Sequence, residues 1–198
     1  MQRQRVWTGE DRFERLLVDA QAGDEASFAE LWRAFNPALL RFLAALAGSE
    51  DAAEVGSTVW IEVVRSLDRF EGDEHGFRAW IFTIGRRRLF DLRRARGRRP
   101  VSAPDHDDAD RRAGAAPDPA WVVEAQWSTE RAVELIGRLP QDQAEVLMLR
   151  VIADLDVATV AEMVEKRPGT VRVLAHRGLR RLAALLAEAD GVVPDVTR

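Results

Sequence analysis

The chain has 198 residues, 46% of them apolar, which is enough to build one or two packed domains. It contains no cysteine, and this excludes disulfides, thiolate zinc sites and a cysteine nucleophile. The formal net charge is -4, yet residues 85–99, GRRRLFDLRRARGRR, carry eight arginines against one aspartate.

The apolar runs are far shorter than a membrane span, and the opening MQRQRVWTGEDRFERLL has no apolar signal-peptide segment. A cytoplasmic protein with no membrane insertion is expected. Lys166 is the one lysine, and the arginine bias runs through the whole chain, as a GC-rich genome would produce.

Helical periodicity dominates from the start, with no alternating strand pattern. Thr8 followed by Asp11 resembles a capping box opening a helix that ends near Gly23. Asp24 can cap the next helix, in which Phe28, Leu31, Trp32 and Phe35 share a face. Pro37 predicts a kink or restart before the segment ending at Gly48. A third helix is expected over 52–67, then a loop, FEGDEHGF, then the helix holding the arginines.

On that helix Phe77, Trp80, Ile81, Ile84 and Leu92 fall on one arc, with Leu89 on its flank. Arg86, Arg87, Arg93 and Arg94 cluster opposite, and Arg88 lies toward the apolar side, where it must snorkel or mark where burial stops. With few carboxylates after Asp91, this side reads as a phosphate-binding surface rather than a merely solvated one.

Residues 97–126 lose all apolar period and are rich in Pro, Ala, Gly and Asp, the composition of a flexible linker. Four helical segments follow, near 127–138, 140–153, 156–165 and 168–188, with Pro140 and Pro168 placed for first turns. The last two read as a helix-turn-helix. Val171, Leu174, Ala175, Leu182 and Leu185 share one arc of its second helix. Thr170, Arg172, Val173, His176, Arg177 and Arg180 occupy the other. Arginine there can fork guanine and Val173 can meet a thymine methyl, although a stray exposed valine is common.

The expected fold class is therefore all-α: two small helical domains joined by a flexible linker, the second with a helix-turn-helix. The boundaries are 10–96, 97–126 and 127–187, with a tail over 188–198. His75, His106 and His176 have no ligand spacing, and the acids of DHDDAD (105–110) have no scaffold, so neither a metal nor any other cofactor is expected.

In order and separation, three stretches resemble the extracytoplasmic-function sigma factors, promoter-recognition subunits of bacterial RNA polymerase. They are AGDEASFAELWRAFNPALLRFLAAL, SLDRFEGDEHGFRAWIFTIGRRRLFDLRR, and LPQDQAEVLMLRVIADLDVATVAEMVEKRPGTVRVLAHRGLRRL. The resemblance covers about residues 21–96 and 127–187. It implies binding to core RNA polymerase and promoter DNA, with no enzymatic activity and no small-molecule substrate. The first domain would recognise and help melt the minus-ten element, and the second would bind the minus-thirty-five element.

The resemblance also implies site residues. Val55, Gly56, Val59, Trp60, Glu62 and Val63 would form or support the polymerase-docking surface, although Trp60 reads equally as core. The loop from Glu71 to Gly76, with His75 in it, would hold an extruded base. Trp80 and Phe82 are melting candidates, with core packing favoured for Trp80. Arg86, Arg87, Arg93 and Arg94 would contact DNA in the first domain. Thr170, Arg172, Val173, His176 and Arg177 would do so in the second.

The chain departs from the family pattern at several places. Ser57 and Thr58 replace a usual Gln-Glu pair, and Thr83 and Arg87 replace arginine and asparagine. The loop near His75 is one residue longer. Glu165 stands at the turn glycine, Arg167 at the capping serine and Leu174 at an arginine. An anti-sigma partner is expected, or else a compact free state in which the acidic linker covers the cationic faces. The competing functions are a free-standing helix-turn-helix regulator and a nucleic-acid enzyme. The first leaves the arginine helix unexplained, and the second lacks convergent catalytic groups.

Overall fold

The computed structural model describes residues 9–96 and 129–189. The expected linker, Thr8, His106 and the tail lie outside these residues. The described residues are helical, with no strand among them.

Helix α1 spans Gly9–Gln21 and buries Phe13, Leu17 and Ala20. Helix α2, Glu25–Ala47, begins as expected: the Ser27 amide donates to the Asp24 carboxylate at 2.7 Å. It does not restart at Pro37 but runs through it. The missing amide would have served the carbonyl of Arg33, on an exposed part of the helix that water can reach. Beyond the proline, Leu39, Phe42 and Leu43 are wholly buried. Each such burial is worth roughly 1.5–3 kcal/mol, so together they outweigh a proline cost of about 3 kcal/mol.

Helix α3, Ser49–Ser66, packs on α2, and a short 3-10 turn, Leu67–Arg69, follows it. The Gln21 side chain donates to the carbonyls of Leu67 and Phe70 at 2.9 and 2.8 Å, fixing this turn against the end of α1. Helix α4, Glu74–Ala95, starts three residues before the expected Phe77. Asp73 caps it by accepting from the Gly76 amide at 2.7 Å. The loop before α4 is therefore shorter than its sequence suggests, and His75 already stands in the first turn of the helix.

The second domain comprises α5 (Thr129–Gly137), α6 (Gln141–Leu147), α7 (Val157–Val164) and α8 (Pro168–Ala189). A π-turn, Met148–Ile152, extends α6. Residues 144–149 are all buried. An amphipathic surface helix cannot bury six residues in a row; α6 does so because it is enclosed by α8 and α5 on its own side and by α2 on the other.

The two domains touch. Helix α5, α6 and the π-turn all pack on α2, and the buried apolar residues form one cluster running through both domains. At Gly137 a β-carbon would lie 2.9 Å from the Ala45 carbonyl oxygen, so this contact brings backbone against backbone.

Candidate nucleic-acid and polymerase interfaces

Five of the six residues expected at the polymerase surface are buried: Val55, Gly56, Val59, Trp60 and Val63. They support the α2–α3 packing rather than form an outer surface. A β-carbon on Gly56 would lie 2.8 Å from Leu40 Cδ2. Trp60 donates from Nε1 to Asn36 Oδ1 at 2.9 Å, which satisfies two buried polar groups at once. Its ring meets Phe28 edge-on.

The outward side of α3 is apolar in an unusual way. Ile61 is 52% exposed and Val64 57%, and Trp32 of α2 is 43% exposed beside them. These three, with Phe28, Ser57, Trp60 and Arg65, line one shallow depression. Ser57 and Thr58 donate back to the carbonyls of Ala53 and Glu54 at 2.9 and 3.1 Å. Their hydroxyls are thus engaged on their own helix, leaving a short, smooth surface where the family has long side chains.

Glu62, the sixth expected docking residue, faces the arginine helix. It accepts from Arg87, and from Arg88 at 2.6 and 2.9 Å. Burial pushes its carboxyl up, but the hydrogen bonds from Arg87 and Arg88 outweigh this and hold it below the ordinary glutamate value. Arg88 is anchored to Glu62 at the margin of the buried side, so of the two placements expected for it the structure has the one that marks where burial stops.

The expectation of an unpartnered cationic face is corrected on the same grounds. Arg86 donates to Glu145 of α6 at 2.6 Å and lies 4.7 Å over the Phe90 ring. Arg93 donates to the Leu46 carbonyl, and Arg96 pairs with Asp51. The carboxylates come from α3 and α6, distant in sequence, so the local composition after Asp91 did not reveal them. Arg87 keeps 57% of its side chain exposed despite Glu62, and Arg94 is exposed.

Trp80 is half-buried and stacked on Phe70, with ring centroids 5.0 Å apart and planes 24° apart. Phe82 is fully buried against Phe42, so it belongs to the core and offers no platform to a base. His75 is exposed and reaches the second domain: its Nε2 lies 3.1 Å from Asp156 Oδ2 and 3.4 Å from Thr159 Oγ1.

In the second domain, α7 is capped by Asp156, which accepts from the amides of Ala158 and Thr159. The Thr159 hydroxyl and amide, with the Ala158 amide, lower the Asp156 carboxyl to about 2. The turn to α8 passes through Glu165 at φ 56°, ψ 39°, a left-handed conformation at the position of the expected turn glycine. Asp154 also has positive φ, 51°, which the sequence did not signal. Along α8, Val171 and Leu174 are buried. Arg172, His176, Arg177 and Arg180 are exposed, while Thr170 and Val173 are half-buried.

No group of three or more acidic or histidine side chains among the described residues is arranged to hold a metal ion. No helix among them is long and apolar enough to cross a membrane.

Comparison with known proteins follows the same division. Residues 31–99 match the Sigma-70 region 2 family and residues 129–182 match Sigma-70, region 4. The chain is 30% identical over 181 residues to the ECF RNA polymerase sigma factor SigD of Mycobacterium tuberculosis, covering 87% of this chain and 82% of that one. It is 32% identical to the ECF RNA polymerase sigma factor ShbA of Streptomyces griseus, covering 86% and 93%. The fold is similar to CnrH in its complex with the cytosolic domain of CnrY, with a TM-score of 0.59 at 21% identity, covering 90% of this chain and 99% of CnrH. It is equally similar to RpoE in its complex with the anti-sigma factor NepR from Bartonella quintana, with a TM-score of 0.59 at 22% identity, covering 80% and 96%. The curated relatives are ECF RNA polymerase sigma factors, and this chain belongs to the same family, the extracytoplasmic-function sigma factors.

Proposed function

We propose that this sigma factor directs core RNA polymerase to promoters by reading two elements with its two domains. The first domain recognises and helps melt the minus-ten element, and the helix-turn-helix domain binds the minus-thirty-five element. The observation that carries this reading is α8: a helix entered through a left-handed turn, with Val171 and Leu174 buried and Arg172, His176 and Arg177 exposed. That is the placement a groove-reading helix needs. In the first domain, Arg87 and Arg94 are exposed cations of α4 suited to phosphate, and the stacked Trp80–Phe70 pair offers an aromatic surface nearer the start of the same helix.

Polymerase docks on the depression lined by Trp32, Ile61 and Val64, supported from beneath by Val59, Trp60 and Val63. An exposed apolar patch marks an interaction site. Because Glu62 holds two arginines, reversing its charge disturbs the DNA face as well, and Ile61 and Val64 are the cleaner probes of docking.

An anti-sigma factor is the regulatory partner. Its support is a groove of about 790 Å³ between the domains, lined by α2 and α5 residues including Leu40, Ala44, Val133 and Gly137. The reading is tested by transcription with purified core RNA polymerase on a genomic promoter library. Specific initiation only when the chain is added supports it. DNA binding by the chain alone, with no effect on core, would favour the free-standing regulator.

A further inference from the structure

We propose that Glu62 is a positioning residue of the DNA surface: from α3 it holds Arg87 of α4 in one direction, and Arg87 so held reads a guanine within the minus-ten element. This rests on the two-element reading above and assigns a specificity-determining pair to it. The observation that carries it is the way one carboxylate is shared. Glu62 Oε2 accepts from Arg88 Nε and Nη2, at 2.9 and 2.6 Å, while Oε1 accepts from Arg87 Nη2. Arg88 thereby holds the carboxylate in place, and the carboxylate holds one nitrogen of Arg87. The Glu62 side chain is 23% exposed and that of Arg87 57%, so the anchor is sheltered while the guanidinium faces solvent.

A guanidinium carries five N–H donors in a rigid planar fork. Among the described residues Arg87 is held through Nη2, which leaves donors on Nε and Nη1 to point outward. Two parallel donors match O6 and N7 of guanine. A phosphate can be met by an arginine from many directions, so it gains little from one held still. A base edge must be met in its own plane, and there a preset direction removes part of the cost of ordering a long side chain.

The neighbours on the same face of α4 agree. Thr83, one turn before Arg87, turns its hydroxyl back to the Ala79 carbonyl at 2.8 Å and leaves the face low. Asp91, one turn after, is exposed, and its carboxylate would repel a phosphate beside Arg87 but not an uncharged base edge. Arg94 is also exposed and lies about 10 Å further along the helix, where a phosphate contact can set the register while Arg87 reads.

The test uses holoenzyme assembled from core RNA polymerase and the full chain, on a promoter whose minus-ten element is varied one base pair at a time. Open-complex formation is compared among these variants for each holoenzyme, so a uniform loss of folding or of core binding cancels. The unaltered chain should prefer guanine at one position. Arg87→Ala should lose on the order of tenfold of that preference. Glu62→Ala should lose severalfold at the same position and at no other. Glu62→Gln, whose carbonyl oxygen can still accept from Arg87, should keep more of the preference than Glu62→Ala. Added to Arg87→Ala, Glu62→Ala should change the preference no further.

A preference untouched by Glu62→Ala would overturn the proposal. So would equal losses in Glu62→Gln and Glu62→Ala, or additive losses in the double variant. Arg87→Ala weakening every minus-ten variant alike would overturn it too, and would make Arg87 a phosphate contact. An unaltered holoenzyme with no preference at any minus-ten position would instead sink the two-element reading, and the proposal with it.

Discussion

Glu165 holds a conformation that ordinary side chains adopt at a cost of roughly 1–2 kcal/mol. Glycine avoids that cost but gains chain entropy when unfolded, worth about 0.4–1 kcal/mol. Glu165→Gly should therefore stabilise the second domain by about 0.5–1 kcal/mol in urea unfolding, whereas Glu165→Ala should give no gain. Asp156 makes a second prediction. Its folded carboxyl is lowered to about 2 from 3.8, chiefly by the Thr159 hydroxyl and then by backbone amides. A depressed value contributes stability above pH 4, and that contribution is lost as pH falls toward 2. The side chain is 55% exposed, so solvent screening reduces the effect. Asp156→Asn should flatten the unfolding midpoint's pH dependence in that window, and Asp156→Ala should cost about 1 kcal/mol as a lost cap.

On the proposed reading α2 and α3 would meet the polymerase with apolar surface, and α4 and α8 would meet DNA with cations, so substitutions on each should separate the two partners. Ile61→Asp combined with Val64→Asp should abolish co-elution with core while leaving helical content unchanged. Retained co-elution would move the docking site elsewhere. Arg94→Ala should weaken every promoter alike and lower the salt slope by about one unit, because an exposed arginine on a helix face meets phosphate. Arg172→Ala should cost roughly 1–3 kcal/mol at one base pair and relax the preference there. Equal weakening on all upstream variants would make Arg172 a phosphate contact instead. Val173 is half-buried, so Val173→Ala tests packing and thymine contact together, and its loss should be smaller. Periodicity made these helices readable, since buried faces repeat every three to four residues. Of the kink or restart expected at Pro37, the restart does not occur, because one missing hydrogen bond is a local cost and the packing beyond it is not visible locally.

Across the whole molecule, fold class and division into two helical domains were legible from pattern and composition, and the turn at Glu165 from the turn glycine that the family resemblance implies there. The ion pairs were not. Glu62 lies 25 residues before Arg87, and Glu145 lies 59 after Arg86. Pairings at such separations leave no spacing signal. An arginine-rich helix consequently reads as freer than it is, and a glutamate on the docking helix reads as exposed. The contact between the domains was anticipated only as a compact state covered by the acidic linker. The described residues show the helix-turn-helix domain itself in contact with α2 and α4.

The anchoring of α1 sets how this protein can be dissected. The region 2 match begins at residue 31, inside α2. A fragment cut there loses the Asp24 cap and Phe13, whose ring packs 5.5 Å from Phe77 and 6.3 Å from Phe35. It also strips the Leu67 and Phe70 carbonyls of the Gln21 amide. The exposed aromatic face would be sticky, and such a fragment should aggregate on purification. One beginning at residue 9 keeps these contacts and should stay monodisperse in size-exclusion chromatography. Equal behaviour of the two would show that α1 is dispensable to the first domain.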